Sequence, residues 1–257
     1  MKRDVHQAVR DVCLWLPEAE EFLSHGSPNF RVRGKTFATY VVNHHGDGRI
    51  ALWLPAQRGA QEAHVGADPQ RFFVPPYVGP RGWLGVHLDK GIPWQRVAGL
   101  VREAYEHVAP RALVASLGKT PTVKAPTRSL SSGEIDPLQS MRGTAVMKTM
   151  RKLCLAYPES SETTQFGSPV WQAGTKTFAW ARTHDERLSL YFWVGVDQQL
   201  LLTDDERYSI PAYLGHKGWI SLDVTKQHDA REIADLVLQS YRHFALKRML
   251  VKLDAAG

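Results

Sequence analysis

Six basic side chains carry the clearest chemical pattern in this chain. Arg31, Arg33 and Lys35 alternate along one stretch, Arg81 lies in a glycine-rich turn, and Lys176 and Lys217 take matching places in the second half. On extended backbone, residues two apart project to one face. Arg31, Arg33 and Lys35 are therefore expected to share an exposed strand face, which can neutralise phosphates without reading bases. The competing reading is that each lysine pairs with a carboxylate such as Glu21 or Glu162. Trp83 and Trp219 close the basic turns. An indole there could stack a base, although a tryptophan at a strand start is more often a core anchor, and the same discount applies to Tyr77 and Tyr213.

Other chemistries find little support. Ser27 and Ser168 sit in Gly-Ser-Pro and not in a nucleophile elbow. Glu18 with Glu21, and Glu159 with Glu162, recur, and salt bridging or turn solvation explains them more simply than a carboxylate pair. His44, His45 and Asp47 lack the spacing of helical metal ligands, and the second half keeps only His184 and Asp185 there. No phosphate-cradling loop or dinucleotide fingerprint is present. The residues argue against an enzyme, and no catalytic residue, cofactor or metal is expected.

These residues belong to a repeated framework. Gly26 to Ala38 and Gly167 to Ala179 share seven of thirteen positions. A second repeated block runs from Asp68 to Trp83 and from Asp204 to Trp219. Apolar residues at helical spacing predict helices over 3–16 and 143–157, with Cys13 and Cys154 at equivalent core positions. Gly-Ser-Pro reads as a turn. Alternating stretches predict strands at about 30–33, 35–42, 49–54 and 83–88, with a short strand before the last, a short helix near 57–66 and a closing helix over 93–108. The second half repeats this order. The expected fold is α+β, a tandem duplication of an α-β-β-β-α-β-β-α domain with helices packed on an antiparallel sheet. The domains are expected at 1–115 and 141–257, joined by a Ser-, Thr-, Pro- and Gly-rich flexible linker at 116–140.

Composition is that of a globular chain. The 257 residues are 43% hydrophobic, with a net charge of +6 spread over both halves, which permits an anionic partner without demanding one. Two cysteines and no apolar leader suit a soluble cytoplasmic protein. No apolar run approaches a membrane span.

At these motifs the chain resembles the MmcQ/YjbR family, twice over. The first copy supplies Gly26, Pro28, Phe30, Arg31, Gly34, Lys35, Phe37 and Ala38, then Pro75, Tyr77, Arg81, Gly82 and Trp83. The second supplies Gly167, Pro169, Trp171, Lys176, Phe178 and Ala179, then Pro211, Tyr213, Lys217, Gly218 and Trp219, and departs from the pattern at Gln172 and Thr175. The resemblance implies a frataxin-like (CyaY-like) fold. It also implies DNA binding of double-wing character, without catalytic residues. An iron role would need an acidic ridge on the first helix, where Asp4 and Asp11 are too few. The leading expectation is DNA binding by the basic set of two linked modules. The alternative is a small anionic ligand or a protein, with Lys35 and Lys176 lining a pocket.

Overall fold

Each half of the chain folds into a six-stranded antiparallel sheet with helices packed on it, and the two halves form separate units, 1–131 and 132–257. The computed structural model describes residues 3–24, 26–184 and 187–255, and of His184 only the backbone. His184 and Asp185, weighed above as metal ligands, thus lie outside the described side chains.

The first unit runs α1 (Val5–Leu14), β1 (Glu20–Ser24), β2 (Ser27–Val32), β3 (Lys35–Val42), β4 (Ile50–Pro55), α2 (Ala60–Ala67), β5 (Phe72–Phe73), β6 (Trp83–His87), α3 (Trp94–Val108) and α4 (Arg111–Ala115). Its strand order is β1-β2-β3-β4-β6-β5. Residues 116–131 belong to this unit: the Arg102 guanidinium donates to the Gly118 carbonyl, and the Thr127 amide donates to the Arg3 carbonyl. The second unit opens with α5 (Ser132–Ile135) and α6 (Met141–Cys154). It continues through β7 (Ser160–Gln165), β8 (Ser168–Ala173), β9 (Lys176–His184), β10 (Arg187–Trp193), α7 (Val196–Leu202), β11 (Tyr208–Ser209), β12 (Trp219–Asp223), α8 (Ala230–Phe244) and α9 (Lys247–Asp254).

The duplicated α+β fold is as expected, with one strand more in each sheet. β1 and β7 read Glu-Glu-Phe-Leu-Ser and Ser-Ser-Glu-Thr-Thr-Gln and are largely solvated. Polar edge strands discourage pairing with other chains, and they carry no apolar alternation to reveal them. The hairpin turn to β2 falls at Gly26, with φ of 77°, so Ser27 and Pro28 already lie on the strand.

The repeated Phe-Ala motif has a packing origin. A β-bulge shifts the β2–β3 register at Phe30/Arg31, and another shifts β8–β9 at Trp171/Gln172. The bulge makes neighbours Phe37 and Ala38 both fully buried, as are Phe178 and Ala179. Phe37 meets Tyr105 of α3 edge-on at 5.4 Å, and Phe178 meets Tyr241 of α8 at 5.3 Å. Each tyrosine hydroxyl then donates to the carbonyl of the proline that follows α1 or α6, Pro17 at 2.7 Å and Pro158 at 2.6 Å. One aromatic pair thereby ties the sheet to both helices. Cys13 and Cys154 are free, fully buried thiols whose burial raises their pKa.

The other sheet face differs between copies. In the first unit Phe73 lies over Gly85, where an added Cβ would stand 2.5 Å from the ring. The second unit has Ser209 beside Ser221 at this pair. The Gly85→Ser variant should lose roughly 1–3 kcal/mol by overpacking. Adding Phe73→Ser, which copies the second unit, should recover part of that loss in a chemical-denaturation double-mutant cycle.

Candidate anion-binding sheet ends

The strand order collects the basic residues at one end of each sheet. β3 begins at Lys35, β4 ends at Pro55, and Pro55 pairs with Trp83 at the start of β6. Because these strands are antiparallel, Lys35 and the turn bearing Arg81 belong to the same end. Two strand spacings separate their strands, roughly 10 Å. In the second unit, Lys176 begins β9, and Trp193 pairs with Trp219 just after the turn bearing Lys217.

A buried glutamine that sequence reasoning missed sets the basic turn. Gln61 of α2 donates its side-chain amide to the carbonyls of Gly79, at 2.9 Å, and Trp83. Gln199 of α7 does the same to Gly215 at 2.8 Å and Trp219 at 2.6 Å. Both glutamines are buried. The turn between these carbonyls is one 3-10 turn closed by a glycine in left-handed conformation, Gly82 or Gly218. Its first glycine permits a close approach, since a Cβ on Gly79 or Gly215 would press on a methyl of Val74 or Ile210 and force that side chain to move. The sequence signal for the glutamine was its recurrence in both short helices. Trp53 and Trp193, the tryptophans near the ends of β4 and β10, are not equivalent in register. Trp53 pairs with Thr39 and Gly85, Tyr191 pairs with Trp180 and Ser221, and Trp193 corresponds to Pro55.

The six cations divide into two kinds. Arg31 lies on β2, donates to Glu20 at 3.0 Å and stacks over Phe22 at 4.8 Å. Arg33 is not on the strand at all. It sits in the β2–β3 turn with φ of 48° and forms an ion pair with Glu18. Arg31, Arg33 and Lys35 therefore do not form a single strand face, because the strand ends at Val32 and the chain reverses. Glu21 and Glu162 are held by Arg10 and Arg151, in matching two-pronged pairs at 2.9 Å. Lys35, Arg81, Lys176 and Lys217 are exposed, and among the described residues none has a carboxylate partner.

The tryptophans are occupied. Trp219 is 7% exposed and packs on Phe244 at 5.6 Å, and Trp83 packs against the cluster of Val41, Ala51 and Trp53. The exposed aromatic of the basic turn is the tyrosine, with Tyr77 68% and Tyr213 85% exposed. Tyr77 holds a left-handed φ of 63°, and its ring meets those of His44 and His45 edge-on at 6.0 Å. The two histidines thus take part in ring packing. Among the described residues no three His, Cys, Asp or Glu side chains converge as metal ligands, and no helix is long and apolar enough to cross a membrane.

Removing the glutamine takes a donor from both carbonyls, although Gly79 and Gly215 keep the amide of Gly82 or Gly218, and should cost about 1–3 kcal/mol. Gln61→Ala should accelerate hydrogen exchange at the Arg81 and Gly82 amides and leave the Lys217 and Gly218 amides unchanged, with Gln199→Ala giving the reverse.

With this geometry in place, the comparisons are specific. The YjbR family model matches residues 14–107 and again 155–243. The crystal structure of a Deinococcus radiodurans protein, DR2400, described as a DUF419 domain, is similar at 21% identity, covering 47% of this chain and 96% of that one with a TM-score of 0.39. No curated protein matches the chain. The chain belongs to the YjbR family and carries that family's domain twice.

Proposed function

We propose that the protein binds nucleic acid, through phosphate contacts made at the basic end of each sheet. The observation that carries this reading is the separation of paired from free cations. Arg10, Arg31 and Arg33 spend their charge on Glu21, Glu20 and Glu18. Lys35 with Arg81, and Lys176 with Lys217, stand exposed with no carboxylate partner among the described residues. A phosphate backbone offers a row of anions to such groups, and counterion release drives the association. The exposed Tyr77 and Tyr213 sit on the same turns as Arg81 and Lys217 and give each end a flat surface for a sugar or an unstacked base. Phosphate contacts of this kind position a duplex without specifying its sequence. Two modules on one chain raise affinity through effective concentration when both engage the same strand.

Fluorescence anisotropy with a labelled random-sequence duplex tests the reading. Binding should be detectable at low salt and weaken steeply as salt rises. The combined Lys35→Ala, Arg81→Ala, Lys176→Ala and Lys217→Ala variant should lose most affinity, with the log–log salt slope shallower by about 0.9 per contact removed. Arg31→Ala and Arg33→Ala should change little, their charges being already neutralised. Absence of binding at low salt, or a fourfold variant that binds like the parent, would overturn the proposal.

A further inference from the structure

The two domains differ at a cleft beside the glutamine-bearing helix. In the first domain a cavity of about 170 Å³ opens between α2 and α3, lined by Leu54, Pro55, Ala60, Leu84, Leu100 and Glu103 among others. The second domain bridges the matching place with its own side chains. Gln61 and Gln199 make the same two bonds, so Ala60 corresponds to Gln198. Tyr105 and Tyr241 make the same bond to a proline carbonyl, so Glu103 corresponds to Gln239 and Ala104 to Ser240. The Gln239 amide donates to the Val194 carbonyl at 3.2 Å and to the Gln198 side-chain oxygen at 2.6 Å, spanning from α8 to α7. Trp193, at the Pro55 position, lays its indole flat against His243 of α8 at 3.4 Å. Its backbone amide donates to Ser240.

In the first domain His107 matches His243, but the side chains that bridge to α7 are absent. Ala60 cannot reach across, Pro55 removes the indole, and the carboxylate of Glu103 replaces the donor amide. Ala56 takes the place of Val194, and among the described residues no side chain donates to its carbonyl. What remains is a cleft walled by Leu54, Leu84 and Leu100, with the Glu103 carboxylate and the Ala56 carbonyl as acceptors and the Gln57 and His64 side chains also in its lining. The volume is that of a cavity that accepts a benzene-sized ring. Apolar walls with a few converging polar groups are the general form of a small-molecule site. A donor group is missing at the position where the second domain supplies the Gln239 amide, and opposite a carboxylate the donor of choice is cationic.

We propose that the α2–α3 cleft of the first domain binds a small primary amine carrying a benzene-sized ring. The ammonium donates to Glu103 and the Ala56 carbonyl, and the ring packs on Leu54, Leu84 and Leu100. This site is chemically opposite to the cationic sheet end and stands independently of the nucleic-acid reading.

The test is an NMR titration of the full chain with benzylamine, with benzyl alcohol and benzoate as neutral and anionic comparators. Benzylamine at millimolar concentration should shift Leu54, Ala60, Leu84 and Leu100 and leave their counterparts in the second domain unmoved. The two comparators should bind at least about tenfold more weakly. Ala60→Gln with Glu103→Gln rebuilds the second domain's bridge and should abolish the shifts. The single variant Glu103→Ala, which leaves the cleft open, should weaken benzylamine about tenfold and leave benzyl alcohol unchanged. The proposal fails if benzylamine leaves those residues unshifted, if the three compounds bind alike, or if either variant binds benzylamine like the parent.

Discussion

One buried amide sets the exposed surface of each domain. Gln61 and Gln199 each bond two buried backbone carbonyls, adding a second donor at Gly79 or Gly215 and a side-chain donor at Trp83 or Trp219. A buried polar group is tolerated only when it is bonded, so the helix, the turn and the strand that starts at the tryptophan must assemble together. The consequence is a turn whose backbone has little freedom, presenting a tyrosine and a cation outward. The basic residue at 81 or 217 is thereby placed by a rigid support and not by its own contacts, which keeps its charge available.

The carboxylates complete this division. Glu18 and Glu159 occupy the same place after the first helix. In the first domain the partner is Arg33 from the β2–β3 turn. In the second, Gly174 replaces that arginine, and Glu159 is held instead by Arg248 at 2.7 Å and Lys252 at 3.1 Å from α9. Those two cations lower its carboxyl pKa to about 2. The cation has moved from one element to another and the carboxylate has stayed neutralised. Among the described residues, Lys35 and Lys176 have no carboxylate partner in either arrangement.

Much of the architecture was legible because packing imposes strong patterns. The duplicated Phe-Ala motif marks a bulge that buries two neighbouring residues, and the helices show their buried stripes at Val97, Leu100, Val101 and Tyr105 and again at Ile233, Leu236, Val237 and Tyr241. β1 and β7 left no such trace, since a polar edge strand alternates nothing. The strand face expected for Arg31, Arg33 and Lys35 dissolved because Arg33 turns the chain with a left-handed φ, which alternation alone cannot show. At the basic turns the tryptophans pack inward, Trp219 buried and Trp83 partly buried, and the tyrosines are exposed. Burial depends on partners distant in sequence, Phe244 for Trp219 and the Val41, Ala51 and Trp53 cluster for Trp83, and not on the local motif. The glutamine was visible in both copies, but its role depends on carbonyls 18 and 22 residues away in the first domain.

The central claim is that the free cations at the sheet ends are the phosphate contacts. Mapping amide and side-chain shifts on addition of a short random-sequence DNA duplex tests it most directly. The account predicts shifts centred on Lys35, Lys176 and the turns that carry Arg81 and Lys217, with Arg31 and the helix faces silent. Shifts confined to the helix faces or to the paired arginines, or no shifts at low salt, would contradict it.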